Sequence, residues 1–221
     1  MARGTDFGGV HSFFDLNLIQ QEVDEQPAEP KLNLVDVPGA NGSKDMSELP
    51  GGQLTYKDRK ITWLFALYPG EDWDTKHRQV SNELNGRRCK ITLDTNPDYY
   101  YIGRVAVKKY NKDRLLRQIT VEAICEPYIL KQQLTVVTVD LASNTDDFLR
   151  VILPNEKMPV IPTIEVTTAT TIRWAGMTTA LNPGTVYSSL DIVLLRGPNL
   201  MEARSDSRTG QIIVTYQEGS L

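Results

Sequence analysis

The sequence predicts a mainly β protein in two parts, the first with one α-helix and the second built of strands alone. Three observations carry this reading. Most apolar segments of the first 130 residues alternate with a period of two and are rich in β-branched residues. A single stretch, 71–86, has helical spacing instead. After Pro127 the apolar runs are short, evenly spaced and broken by Gly, Pro and Asn, the texture of a β-sandwich or jelly roll.

The segment "FDLNLI" (14–19) sets Phe14, Leu16 and Leu18 against Asp15, Asn17 and Ile19, which predicts a strand. "KLNLVDV" (31–37), "CKITL" (89–93) and "QITVEAI" (118–124) predict strands in the same way. In "ITWLFAL" (61–67), Ile61, Trp63, Phe65 and Leu67 share one face. The helix in "EDWDTKHRQVSNELNG" brings Trp73, His77, Val80 and Leu84 to one stripe. Acidic residues crowd its start, and Gly86 is the candidate for its C-terminal stop. Between these elements, "VPGANGSKDMSELPGGQLTYKDR" (37–59) is rich in Gly, Pro, Asn and Ser and has little periodicity. It reads as a long loop, and loops of that length are usually functional or disordered.

The stretch "DTNPDYYYIGRVAVKKYNKDR" places three tyrosines beside basic residues, which raises the question of a base-stacking platform. "NPD" (96–98) is turn chemistry, and a strand beginning after it sends Tyr99 and Tyr101 to one face and Tyr100 to the other. "NKD" (111–113) then reads as a hairpin turn, where lysines and arginines are solvated. The tyrosines therefore form no continuous platform. The net charge of −4 points the same way, since neither the first 131 residues nor the remainder carries a basic surplus for phosphate binding.

Catalytic and metal chemistry is equally hard to find. Asp94, Asn96 and Asp98 begin like a calcium loop, but Tyr99 stands where glycine is needed and Val105 where the bidentate glutamate is needed. Cys89 and Cys125 have neither CxxC spacing nor histidine neighbours, so they read as small buried apolar residues. His11 and His77 are the only histidines, and no GxSxG, HExxH, P-loop or GxGxxG occurs. No catalytic residue, cofactor site or metal site is expected, and the protein is read as a non-enzyme. With no secretory h-region and no run of about 18 apolar residues, assembly in a cytosol is expected.

One constellation is more specific. The order "DFGGVHSFFDLNLI", "VDVPGANGSKDMSE", "YKDRKITWLF", "NELNGRRCKITLDTNPDYYYIGRVAV", "AICEPYILK" and a final "TYQEGSL" resembles the distal tail protein of siphophages, the hub of the tail tip. The likeness covers most of the first 135 residues and is looser beyond them, where "LNPGTVYSSLDIVLLRGPNL" carries it. It implies an N-terminal, tail-tube-like β-sandwich with one flanking helix over 1–135, forming a belt ring, and a C-terminal galectin-like β-sandwich over 136–221. The ring would be a hexamer at the virion tail tip, assembled in the bacterial cytoplasm. It would join the tail tube protein to the tail-associated hub or lysin protein and carry receptor-binding proteins, with DNA only passing through its lumen and no membrane insertion.

In that arrangement the loop would lie on a neighbouring subunit, through Pro38, Gly39, Asn41, Asp45, Met46, Leu49, Leu54, Tyr56 and Arg59. Trp73, Val80 and Leu84 would form the helix's core face. From Gln133 onward there is no histidine and one tryptophan, Trp174, so the galectin scaffold is expected to have lost its sugar site. A carbohydrate-binding adhesin, a hydrolytic tail enzyme and the equivalent ring of a contractile tail or tailocin baseplate are the alternatives.

Overall fold

The computed structural model describes residues 4–48, 52–111, 117–141, 148–205 and 207–221. Leu49 of the candidate loop, and Lys112 and Asp113 of the expected hairpin turn, lie outside them. The chain divides into two compact units, residues 1–129 with Leu221 and residues 130–220.

The first unit contains β1 (Thr5–Phe7), β2 (Leu18–Glu25), β3 (Leu34–Asp36), β4 (Ser43–Asp45), β5 (Arg59–Leu67), α1 (Trp73–Leu84), β6 (Arg88–Leu93), β7 (Tyr99–Asn111) and β8 (Gln118–Cys125). Six of these strands form one antiparallel sheet in the order β1-β6-β7-β8-β5-β2. Alternation is strict along β5, where Arg59, Ile61, Trp63, Phe65 and Leu67 are all buried. The sheet curls until its two ends meet. Phe7 of β1 packs edge-on to Trp63 of β5 at 5.1 Å between centroids, although three strands separate them in the sheet. The Thr5 hydroxyl donates to Oε1 of Gln20 on β2 at 2.7 Å. A single sheet thereby encloses its own core, with the apolar side of each strand turned inward.

Helix α1 closes that core. Its N-cap is Asp72, whose carboxylate accepts from the Thr75 N–H at 2.9 Å, and hydrogen bonding from Thr75 holds the Asp72 carboxyl below its ordinary range. Val80 and Leu84 are fully buried and Trp73 is half-buried against the same cluster. The stripe differs from the sequence reading at one position. Lys76 is buried while His77 is half-buried and stacked on Trp73. Lys76 tolerates this because its ammonium meets Glu71 at 3.2 Å and Gln79 at 3.0 Å. The helix stops where Asn85 turns extended and Gly86 takes φ 80°, with the Gly86 N–H donating to the Val105 carbonyl.

Two predicted strands are corrected. Residues 14–17 are not strand but tight turns, in which the N–H groups of Asp15 and Leu16 donate to the His11 carbonyl and that of Asn17 to Phe13. Asn17 adopts φ 50°, which asparagine tolerates, and Phe14 is exposed. The polar–apolar alternation there imitates a strand. In 31–37 only Leu34–Asp36 is strand, and neither of its faces is buried. Part of the expected loop 37–59 is in turn ordered, because β4 pairs with β3.

The tyrosines divide as the period of two requires. Tyr101 is buried, and Tyr100 lies outward beneath the Lys90 ammonium, 4.0 Å from its ring centroid. Residues 94–99 form a turn closed by the Asn96 and Tyr99 N–H groups.

The second unit is a two-sheet sandwich. From Ile129 onward the strands are β9 (Ile129–Lys131), which begins at the boundary, β10 (Thr135–Asp140), β11 (Leu149–Asn155), β12 (Thr163–Val166), β13 (Thr170–Trp174), β14 (Met177–Leu181), β15 (Gly197–Ser205), β16 (Gln211–Tyr216) and β17 (Gly219–Ser220). One sheet runs β10-β16-β12 and the other β11-β15-β13-β14. Ile164, Ile212 and Val214 from the first meet Val151, Leu153, Ile172, Met201 and Ala203 from the second in one core. Ala175 and Gly176, both with positive φ, make the two-residue turn between β13 and β14. Strand β17 pairs with β9, and there the Lys131 ammonium joins Glu156 at 2.9 Å and the buried Glu218 at 3.3 Å. Burial works against the charge of Lys131, yet hydrogen bonds to these two carboxylates outweigh it and hold its pKa above the ordinary value.

Candidate functional site

Residues 26–48 and 52–58 leave the sheet between β2 and β5 as an arm. Paired backbone carries it outward: the Gln26 N–H donates to Lys60, that of Lys31 to Thr55 and that of Lys57 to Glu29, and Pro30 bridges Tyr56. Beyond them β3 and β4 pair with Leu34 opposite Asp45 and Asp36 opposite Ser43. Gly39 at φ 83° and Gly42 at φ 76° turn the tip. Polar side chains lock the return. Ser47 is buried and accepts from the Asn33 N–H at 2.8 Å, while Asp45 accepts from both the hydroxyl and the N–H of Ser47. Those bonds from Ser47 lower the Asp45 pKa. The arm is thus ordered by its own backbone and polar groups.

What the arm does not bury is more telling. Leu32 and Leu34 are 59% and 56% exposed, and Val35 and Val37 also lie open. These residues stand on both faces of the hairpin. Of the candidate loop residues, Pro38, Gly39 and Asn41 lie exposed at the tip, Asp45 is in β4, and Met46 and Leu54 are half-buried. Tyr56 packs edge-on to Tyr128 at 6.0 Å. Arg59 does not belong to the loop. It is buried at the start of β5 with its guanidinium 5.5 Å from the Tyr101 ring, and the Tyr101 hydroxyl donates to Glu25. Burial, and then that bond to Glu25, push the Tyr101 phenol far above its usual pKa. The four exposed aliphatics were missed as a site because 31–37 read as a half-buried strand. The signal against that reading is in "LNLVDV", where apolar residues occupy both faces.

A second uncovered surface lies on the outer side of the same sheet. Ile102, Ala106 and Ile124 floor a trough of about 580 Å³ over the backbone of Gly103, rimmed by Arg88, Arg104, Asp58 and Glu126. On the inner side of the sheet Gly103 is required, since a Cβ would stand 2.4 Å from the sulfur of the buried Cys125 on the next strand. Ile124 is 52% exposed. Arg88 and Glu126 pair with each other, whereas Arg104 donates to the Gly86 carbonyl and has no carboxylate within 4.0 Å among the described residues.

The remaining candidate groups have structural partners. Nδ1 of His11 accepts from the N–H groups of Phe13 and Phe14, and Nε2 stands 3.3 Å from Asp94, so the ring ties the N-terminal turn to the end of β6. Asp94 also accepts from the Gly4 N–H. No group of three metal-ligating side chains is gathered among the described residues. No described helix is long and apolar enough to cross a membrane. In the second unit Trp174 packs on the core and lines a cavity of about 30 Å³ with Tyr187 and Asp191, room for one water rather than a sugar ring. Arg173 points the other way, over the Phe148 ring at 3.7 Å.

No protein-family model matches the chain, and neither does any curated protein. Among solved structures, the chain is similar to the SPP1 Dit (gp 19.1) protein, described as a paradigm of hub adsorption apparatus in Gram-positive infecting phages. That likeness has a TM-score of 0.70 at 16% identity and covers 100% of both chains. A de novo designed double-stranded β-helix aligns with 39% of this chain and 100% of its own at 19% identity, but its TM-score of 0.27 carries no weight. From end to end, the chain has the mainly β fold of the SPP1 Dit protein.

Proposed function

We propose that this chain is a structural subunit of a phage tail tip, a distal tail protein that forms the hub of the adsorption apparatus. The likeness in fold to the SPP1 Dit protein along the whole chain carries the reading. The subunits close into a ring of six, with the first unit as the belt and the second, galectin-like unit outside it. The arm 26–58 reaches the neighbouring subunit, which accounts for apolar residues that its own unit leaves exposed. The ring joins the tail tube protein to the tail-associated protein, and the second unit docks receptor-binding proteins. DNA passes through the lumen without being gripped. The subunit performs no catalysis; its side chains serve packing and contact.

Light scattering coupled to size exclusion, followed by negative-stain microscopy, tests this. A ring with an open centre is expected. A chain that stays monomeric at high concentration overturns the proposal. Titration of galactosides into the full chain checks the second unit, where micromolar binding abolished by Trp174→Ala would favour a saccharide-binding adhesin.

A further inference from the structure

The first unit carries two uncovered apolar surfaces that differ in shape: a protruding hairpin and a trough. No described residue between 26 and 57 lines the trough, so the described part of the arm does not cover it within its own chain. We infer that the hairpin of one copy seats in the trough of the next, with Leu34 over Ile124 and Ile102. This rests on the ring reading above and names the surface that receives the arm.

Three features support the pairing. A two-stranded hairpin is marginal in water unless a further surface covers it, and β3–β4 is ordered while exposing aliphatics on both faces. The trough has the floor such residues need. It is apolar at Ile102, Ala106 and Ile124, and its volume falls in the range of roughly 300–1,000 Å³ that seats bound groups.

The charges also match. Arg104 is the rim cation without a carboxylate among the described residues. The arm presents Asp36 between Val35 and Val37, holding the Ser43 hydroxyl. An ion pair at that rim would set the register of the hairpin more than its affinity. The two surfaces are different patches of one chain, so their contact is head-to-tail, and repeated head-to-tail contacts close into rings when the rotation permits.

The test uses the full chain with Cys89→Ser to remove the accessible thiol. Leu34→Cys is made in one preparation and Ile124→Cys in another, and the two are mixed with a short bismaleimide. The expected result is a cross-linked dimer at least tenfold more abundant in the mixture than in either preparation alone, with mass spectrometry joining positions 34 and 124. Arg104→Glu should weaken assembly at least tenfold, and Asp36→Lys in the same chain should restore it. Circular dichroism melting checks that each variant folds.

A ring that forms with no 34–124 cross-link, or with Ile124→Cys freely labelled in the assembled state, overturns the seat and leaves the ring reading standing. Failure of the unsubstituted chain to assemble at high concentration overturns both.

Discussion

Strand β5 and the β3–β4 hairpin belong to the same unit and are both antiparallel strands, yet they have opposite relations to it. Every second residue of β5 is buried, and Trp63 and Phe65 lie at its centre with no exposed surface. All six residues of β3 and β4 are exposed, including Leu34 and Val35. Burying such side chains contributes about 1.5–3 kcal/mol each. The unit obtains that contribution from β5 and forgoes it in the hairpin. Strand geometry alone therefore does not tell whether a segment stabilises its own fold. The placement of apolar residues on one face or on both does.

The comparison is sharpest at the residues that close the core. Leu84 of α1 is fully buried against the same cluster that receives Trp63 and Phe65. Leu84→Ala removes those contacts and leaves a cavity, so it should cost about 2–5 kcal/mol in urea unfolding of the first unit's transition. A loss below about 0.5 kcal/mol, the range of a surface position, would show that the helix does not cover the sheet.

A smaller effect is expected from Cys125, which lies at the inner end of β8 beside Gly103. Burial pushes its thiol up from 9.0 to about 12. A folded pKa above the unfolded one means the neutral thiol is favoured by folding. The contribution is complete below pH 9 and is lost as pH rises from 9 toward 12. At pH 10 the loss should be about 1 kcal/mol. Comparing the unfolding free energy of the parent chain and of Cys125→Ala at pH 8 and pH 10 isolates it, because the variant lacks that part of the slope. Iodoacetamide should modify the half-buried Cys89 first. Equal labelling of the two cysteines in the native chain would contradict the burial.

Much of the fold is legible in the sequence because burial imposes a period. The β5 segment, the helix and the strand-only texture of the second unit all follow from where apolar residues recur. The errors arise where local hydrogen bonding competes with that pattern. His11 draws residues 13–16 into turns through its carbonyl and its ring nitrogen, although "FDLNLI" alternates like a strand. The buried Lys76 was unreadable for a related reason: its partners Glu71 and Gln79 satisfy it only once the helix has formed. The candidate site is harder still. The trough gathers residues from β6, β7, β8 and the turn after the helix, and such a meeting of distant segments leaves no periodic trace.

The smallest expected effect on stability is at the hairpin, and it tests the comparison from its other side. Leu34 is exposed on β3, opposite Asp45, and touches no core cluster. Leu34→Ser should therefore change the unfolding free energy of dilute, monomeric chain by less than about 0.5 kcal/mol. The same holds for replacement of residues 40–54 by a short Gly-Ser linker, since the backbone pairs near 26–31 and 55–60 remain to hold the arm's root. Association is where both changes should be felt, as a shift of assembly to at least tenfold higher protein concentration in light scattering. An arm that served its own unit would give the reverse pattern, a lower melting temperature in the monomer and unchanged assembly. The two readings predict opposite signs from one pair of measurements, and a monomer destabilised by 1 kcal/mol or more would place the hairpin with β5 after all.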